Sequence, residues 1–176
     1  MQPEGSVLEL CQVVTDLDRA LTHWTGTLGA GPFFVMDVPV LPGQRHRGEP
    51  TAVSMRVAFG FSGGLLVELL QQTNDGASVF RDMIAEKGEG HHHVMLRLAY
   101  DEGVARLSAR GHEAAFSGTM PGGERFCLFD TRAVDGGYVE LMEMSPAMED
   151  SLRRMHRAHL DWDGSTDPVR SIADLA

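Results

Sequence analysis

The sequence predicts an α+β fold: two βαβββ modules whose strands form one curved, mixed, eight-stranded sheet around a central pocket. Three observations predict it. The order of strand-like and helix-like segments runs through once and then restarts. The stretch Gly64-Leu65-Leu66-Val67-Glu68-Leu69-Leu70 is echoed by Gly136-Gly137-Tyr138-Val139-Glu140-Leu141-Met142. The first strand of each half also carries a polar residue between neighbours of matching pattern, Leu8-Glu9-Leu10 and His92-His93-Val94.

In the first half, residues 7–14 read as a strand, rich in β-branched and apolar side chains. Asp16 is placed to cap a helix over residues 17–28, with Leu17, Ala20, Leu21 and Trp24 on one face. Gly29-Ala30-Gly31-Pro32 stops that helix. Residues 33–38 read as a strand and 39–50 as a polar loop. Residues 51–61 and 65–71 read as two strands joined by a Ser62-Gly63-Gly64 turn. After Asn74-Asp75-Gly76 comes a short helix over 78–86 and a link to Gly90.

The second half repeats the order. Residues 92–100 read as a strand and 101–110 as a helix stopped by Gly111. Residues 113–118, 125–130 and 138–144 read as strands. A terminal helix over 147–160 presents Met148, Leu152, Met155 and His159 on one face, for the sheet or for a partner subunit, and a polar tail follows. The expected units are residues 1–73, a connecting segment 74–90, residues 91–145, and a helix and tail 146–176. Glu9 and Glu68 stand 59 positions apart, His93 and Glu140 47; the loop over 39–50 has about the length of the difference.

The 176 residues carry 25 acidic and 15 basic side chains, a net charge of −10, which argues against a nucleic-acid partner. Cys11 and Cys127 are the two cysteines and form no C-x-x-C pair, so a structural zinc site is not expected. No apolar run is long enough to span a membrane, and the first residues lack a signal-peptide pattern. The expectation is a cytoplasmic protein acting on a small molecule, with no membrane partner.

Side chains alternate along a strand. One face of the first strand should carry Leu8 and Leu10, the other Glu9, Cys11 and Val13; Gln12 falls on the apolar face without explanation. Glu68 and Glu140 are likewise flanked by apolar residues, and Val94, Leu96 and Leu98 alternate with His93, Met95 and Arg97. A single such glutamate reads as a wet sheet face. Four positions paired across a repeat, among Cys11, Val13, Leu66, Leu70, Met95, Tyr138 and Met142, read as a pocket lining. Three carboxylates and a histidine there would repel and desolvate badly without a cation. Such ligands suit zinc, nickel, cobalt, manganese or magnesium. Within His91-His92-His93, alternation lets His91 and His93 share a face. His93 is the ligand candidate, His91 a substrate contact, and His92 a packed residue. Arg97 falls on the His93 face, for a substrate anion or a salt bridge, and Tyr138 is a further substrate-contact candidate.

These residues resemble the vicinal oxygen chelate superfamily, which includes glyoxalase I. Val13-Val14-Thr15-Asp16-Leu17-Asp18, Gly29-Ala30-Gly31-Pro32-Phe33-Phe34, Val67-Glu68-Leu69-Leu70-Gln71-Gln72 and Gly88-Glu89-Gly90-His91-His92-His93-Val94 are similar to its glyoxalase-like branch near methylmalonyl-CoA epimerase. Trp162-Asp163-Gly164 and Asp167-Pro168-Val169-Arg170 are similar to the same branch. The resemblance implies a divalent metal held by Glu9, Glu68, His93 and Glu140. Glu9 departs from the family's histidine or glutamine at that position. With one histidine in the set, the iron-dependent ring cleavage of the dioxygenase members is disfavoured. The implied chemistry is proton abstraction next to a carbonyl of a small acyl or acyl-thioester substrate, by an isomerase, epimerase or lyase. Glu140 is the first candidate base, Glu9 the second and Glu49 the third. The alternative is a metal-free binding or sequestration protein on the same fold. The resemblance also implies a homodimer.

Overall fold

The structure is a computed structural model and describes residues 2–175. In chain order the first half holds β1 (Val7–Val13), α1 (Leu17–Gly26), β2 (Phe33–Val38), β3 (Arg45–His46), β4 (Glu49–Pro50), β5 (Met55–Ser62) and β6 (Leu65–Gln72). Helix α2 (Val79–Lys87) connects it to β7 (Gly90–Leu96), α3 (Tyr100–Ser108), β8 (Ala114–Thr119), β9 (Arg125–Asp130), α4 (Arg132–Asp135) and β10 (Tyr138–Met142). Helix α5 (Pro146–Leu160), β11 (Val169–Ser171) and a 3₁₀ turn follow. Among the described residues no helix is long and apolar enough to cross a membrane.

All strands join one mixed sheet in the order β11-β2-β5-β6-β1-β7-β10-β9-β8-β3-β4. Its central eight strands are the two βαβββ modules, each with its first strand parallel to its last. The modules meet where β1 runs antiparallel to β7. The sheet has eleven strands rather than eight. The extra three come from segments read as loop and tail. β3 and β4 form a hairpin inside residues 39–50, and β3 pairs with β8 of the other module. β11 lies parallel to β2 at the opposite edge. Strands this short form only because a partner edge supplies their hydrogen bonds, which local patterning does not reveal.

Capping sets the helix starts. Asp16 accepts from the Arg19 amide at 2.9 Å, Ser78 from that of Arg81 at 3.1 Å, and Ser145 from that of Met148 at 3.3 Å, with proline opening α5. On the outer sheet face, Leu17, Leu21 and Trp24 of α1 pack on Ala58, Val67 and Leu69. Each of these α1 side chains contributes roughly 1.5–3 kcal/mol by burial. Gly60 lets Phe33 lie flat on the sheet there; a Cβ would stand 2.8 Å from its ring. The unexplained Gln12 also faces this side and accepts from Trp24 Nε1 at 3.4 Å. On the inner face, α2 covers one end through Val79, Phe80 and Met83. Helix α5 covers the other, with Leu152 and Met155 against Phe34, Phe61, Leu66 and Met95.

Two irregularities break the alternation. The β1–β7 register slips between Val7 and Glu9, and again between Cys11 and Gln12. The first slip separates Leu8, which packs with the inner Met95 and Leu66, from Leu10, which packs outward; the sequence had put them on one face. The second makes His92 an extra residue between His91, opposite Gln12, and His93, opposite Cys11.

Candidate metal centre

Four neighbouring central strands bring Glu68 (β6), Glu9 (β1), His93 (β7) and Glu140 (β10) together on the inner face. They are 8 %, 2 %, 1 % and 7 % exposed. His93 Nε2 lies 2.9 Å from Glu140 Oε2 and 3.5 Å from both Glu9 Oε1 and Glu68 Oε2. One donor atom from each of the four falls within 4.8 Å of all the others.

Electrostatics make this cluster costly without a cation. Burial first, then the charge of Glu9, pushes the Glu68 carboxyl from 4.5 up to about 8. Burial likewise raises Glu9, with Glu140 adding repulsion. The Cys11 thiol is raised well above its usual range by burial and by Glu68. Burial opposes charging of His93, but its contacts with Cys11 and with the Glu140 carboxylate outweigh that and hold the imidazole well above its ordinary range.

The residues fit a divalent cation. His93 Nε2 is buried and makes no hydrogen bond of acceptable geometry, although three carboxylates surround it. A buried ring nitrogen aimed into a ring of carboxylate oxygens is what a cation would satisfy. One imidazole nitrogen and three oxygens suit borderline to hard divalent ions. Cys11 was absent from the expected ligand set, yet its sulfur joins Glu68 and His93 in a second three-residue cluster. Its place beside Glu9 in the alternation was the signal for it.

Behind the site, the Nδ1 atoms of His92 and His93 stand 2.8 Å apart. His92 is packed, but on the inner face beside His93 rather than on the face that alternation assigns it, stacked on Tyr138 at 4.8 Å and tilted against Phe80. In front, the three carboxylates open into a cavity of about 400 Å³, walled by the sheet, the turn between β8 and β9, and α5.

The other candidate residues are placed elsewhere. His91 is exposed and sits beside Gly137, because the bulge at His92 removes it from the His93 face. Tyr138 is 1 % exposed and belongs to the core under α2, outside the cavity wall. Arg97 lies beyond the end of β7 and donates to Glu149 at 2.8 Å, so the ion-pair alternative describes it. Glu49 is exposed on β4 at the sheet edge. Of the candidate bases, Glu9 and Glu140 face the cavity, as do the carboxylates of Glu68 and Glu124.

Residues 10–129 match the Glyoxalase/Bleomycin resistance protein/Dioxygenase superfamily, and the chain belongs to that family. No curated protein matches it by sequence. Solved structures with the same fold include a methylmalonyl-CoA epimerase from Mycobacterium tuberculosis (TM-score 0.56, 17 % identity, 85 % of this chain and 95 % of that one). A hypothetical protein from Bacillus halodurans is similar to the same degree (TM-score 0.56, 19 %, 80 % and 94 %). A variant methylmalonyl-CoA epimerase from Streptomyces coelicolor, in complex with 2-nitronate-propionyl-CoA, is a third (TM-score 0.53, 19 %, 80 % and 97 %). At these identities the likeness is one of fold.

Proposed function

We propose that the protein is a divalent-metal-dependent isomerase or epimerase, or a lyase, that removes a proton from the carbon next to a carbonyl of a small acyl or acyl-thioester substrate. One observation carries this reading. Glu9, Glu68 and Glu140 converge on the unpartnered Nε2 of His93 at the floor of an apolar cavity. A cation held by these four residues would polarise the substrate's carbonyl oxygen and stabilise the negative charge that builds on it.

The chain's own groups do the rest. Glu140 faces the cavity and takes the proton from carbon onto a carboxylate oxygen. The proton returns to the opposite face of that carbon, or to the neighbouring carbon, from Glu140 or from Glu9 on the adjoining wall. His93 sits behind the carboxylates and fixes their positions. Helix α5 and the methionines of the sheet keep water off the reacting carbon. Solved structures of the same fold include epimerases, which supports the class of reaction. The functional unit in this reading is a homodimer, to be tested by sedimentation.

A second reading has an observation of its own. The His93 imidazolium, without any metal, offsets part of the charge of three carboxylates, which suits a metal-free binding protein. One experiment separates the two. The protein is dialysed against zinc, nickel, cobalt, manganese or magnesium, its metal content measured, and deuterium exchange from solvent into the α-carbon of branched acyl compounds followed by NMR. The enzyme reading expects about one tightly held cation per chain and exchange that stops with a chelator. Ligand binding with neither metal nor exchange would establish the binding protein instead.

A further inference from the structure

The cavity above the carboxylates has a restrictive chemistry. Seven of the chain's ten methionines line it. Met36, Met95 and Met142 project from the sheet, and Met148 and Met155 from α5. Unbranched thioethers make a wall that is apolar and adapts its shape. No lysine, arginine or histidine is among the described residues that line it. Its charged groups are all carboxylates, three at the floor and Glu124 beside the exposed Gly122–Gly123 turn at the mouth.

The adjoining surface cleft shares Glu124, Met144 and Ser145 with the cavity, and among the described residues Arg97 is its one basic lining residue. Arg97 there is paired with Glu149 at 2.8 Å, and its other terminal nitrogen, although without a partner, is buried away from the cleft surface. Arg125 is held by Glu143 and by Asp101. Charge balance points the same way. Three carboxylates and one divalent cation leave one negative charge over at the floor. An anionic substrate group would be desolvated against methionine walls with nothing to pair it.

We propose that this site selects an uncharged, apolar carbonyl compound, and that Glu124 and the acidic floor discriminate against a carboxylate-bearing acyl group and against the phosphates of a CoA thioester. This rests on the reading above, that the site holds a divalent cation and works next to a carbonyl. Such selectivity would divide this chain from a methylmalonyl-CoA epimerase of like fold solved with methylmalonyl-CoA, a carboxylate-bearing CoA thioester.

The test uses the whole protein, with and without its divalent cation, and a matched ligand set. One branched apolar acyl group is carried on neutral N-acetylcysteamine or on CoA. A second pair, both on N-acetylcysteamine, differs only in a terminal carboxylate. Affinity is read by isothermal titration and α-proton exchange by NMR. The neutral ligand is expected to bind at least about tenfold more tightly than each anionic counterpart. The ratio should shrink with added salt and in Glu124→Gln. Equal or tighter binding of the CoA or carboxylate form overturns the proposal, as does failure of the neutral ligand to bind. If the neutral preference stands and no ligand exchanges its proton, selectivity is upheld and the catalytic reading alone fails.

Discussion

Consecutive residues on β7, His92 and His93, turn their Nδ1 atoms toward each other at 2.8 Å. Side chains one apart on a regular strand point to opposite faces; here the bulge at His92 brings both to the inner face. For His93 Nε2 to offer its lone pair to a cation, Nδ1 must carry the proton and donate it to His92. His92 thereby sets the tautomer of the candidate ligand. His92→Phe keeps the stack on Tyr138 but removes the acceptor. Divalent-metal affinity should fall about 10–100-fold in a calorimetric titration, with little change in secondary structure by circular dichroism.

Glu140→Gln removes the proposed base while keeping shape and an oxygen donor. The expected loss in proton-exchange rate is about 10²–10⁴-fold. The same experiment with Glu9→Gln should give a smaller loss, accompanied by weaker metal binding. A larger loss for Glu9 would reverse the assignment of the two.

The metal-free protein should lose stability as pH rises. Glu68 moves from 4.5 to about 8 on folding, and Glu9 shifts in the same direction. A carboxyl raised by folding favours the native state while it is protonated. That stabilisation is fully present below 4.5 and lost as pH rises through about 8. Melting temperature in chelator should therefore drop by a few degrees or more from about pH 5 to about pH 9. A bound divalent cation requires ionised carboxylates, so saturating metal should abolish or reverse the slope. A flat profile in chelator would show that the cluster is not strained by its own charge.

Met155 is 5 % exposed and anchors α5 against Leu8, Phe34, Phe61 and Leu66. Met155→Ala should cost about 2 kcal/mol in urea denaturation, at the low end for such truncations because one side already borders a cavity. Amide exchange in α5 should speed up more than in α1, which packs on the other sheet face.

The clustering of Glu9, Glu68, His93 and Glu140 was legible in the sequence because strand alternation and the repeat act together. Either copy of Val-Glu-Leu alone is an ordinary half-buried strand; two copies beside Glu9 and His93 define one face of one sheet. Misplaced residues share a cause: each depends on something non-local. His91 was assigned by alternation across a bulge that only the β1 pairing produces. Tyr138 does face inward, but the sequence does not say that Phe80 of α2 and His92 fill that end. The hairpin of β3 and β4 needs β8, more than sixty residues away, as well as ion pairs from Arg47 to Asp82 (3.3 Å) and Asp130 (3.4 Å). The terminal helix carried its apolar face in plain view; the sheet residues that Leu152 and Met155 pack against came only with the fold.

The order β6-β1-β7-β10 has one more consequence. Its outer pairs belong to different repeats, which meet at the sheet centre along β1 and β7 and again at the edge where β3 pairs with β8. An ion gripped by all four strands would act as a clasp across that seam, since neither repeat holds more than two of its ligands. Occupancy would then be felt as cooperativity: the halves melt together more sharply when the clasp is shut than when it is not.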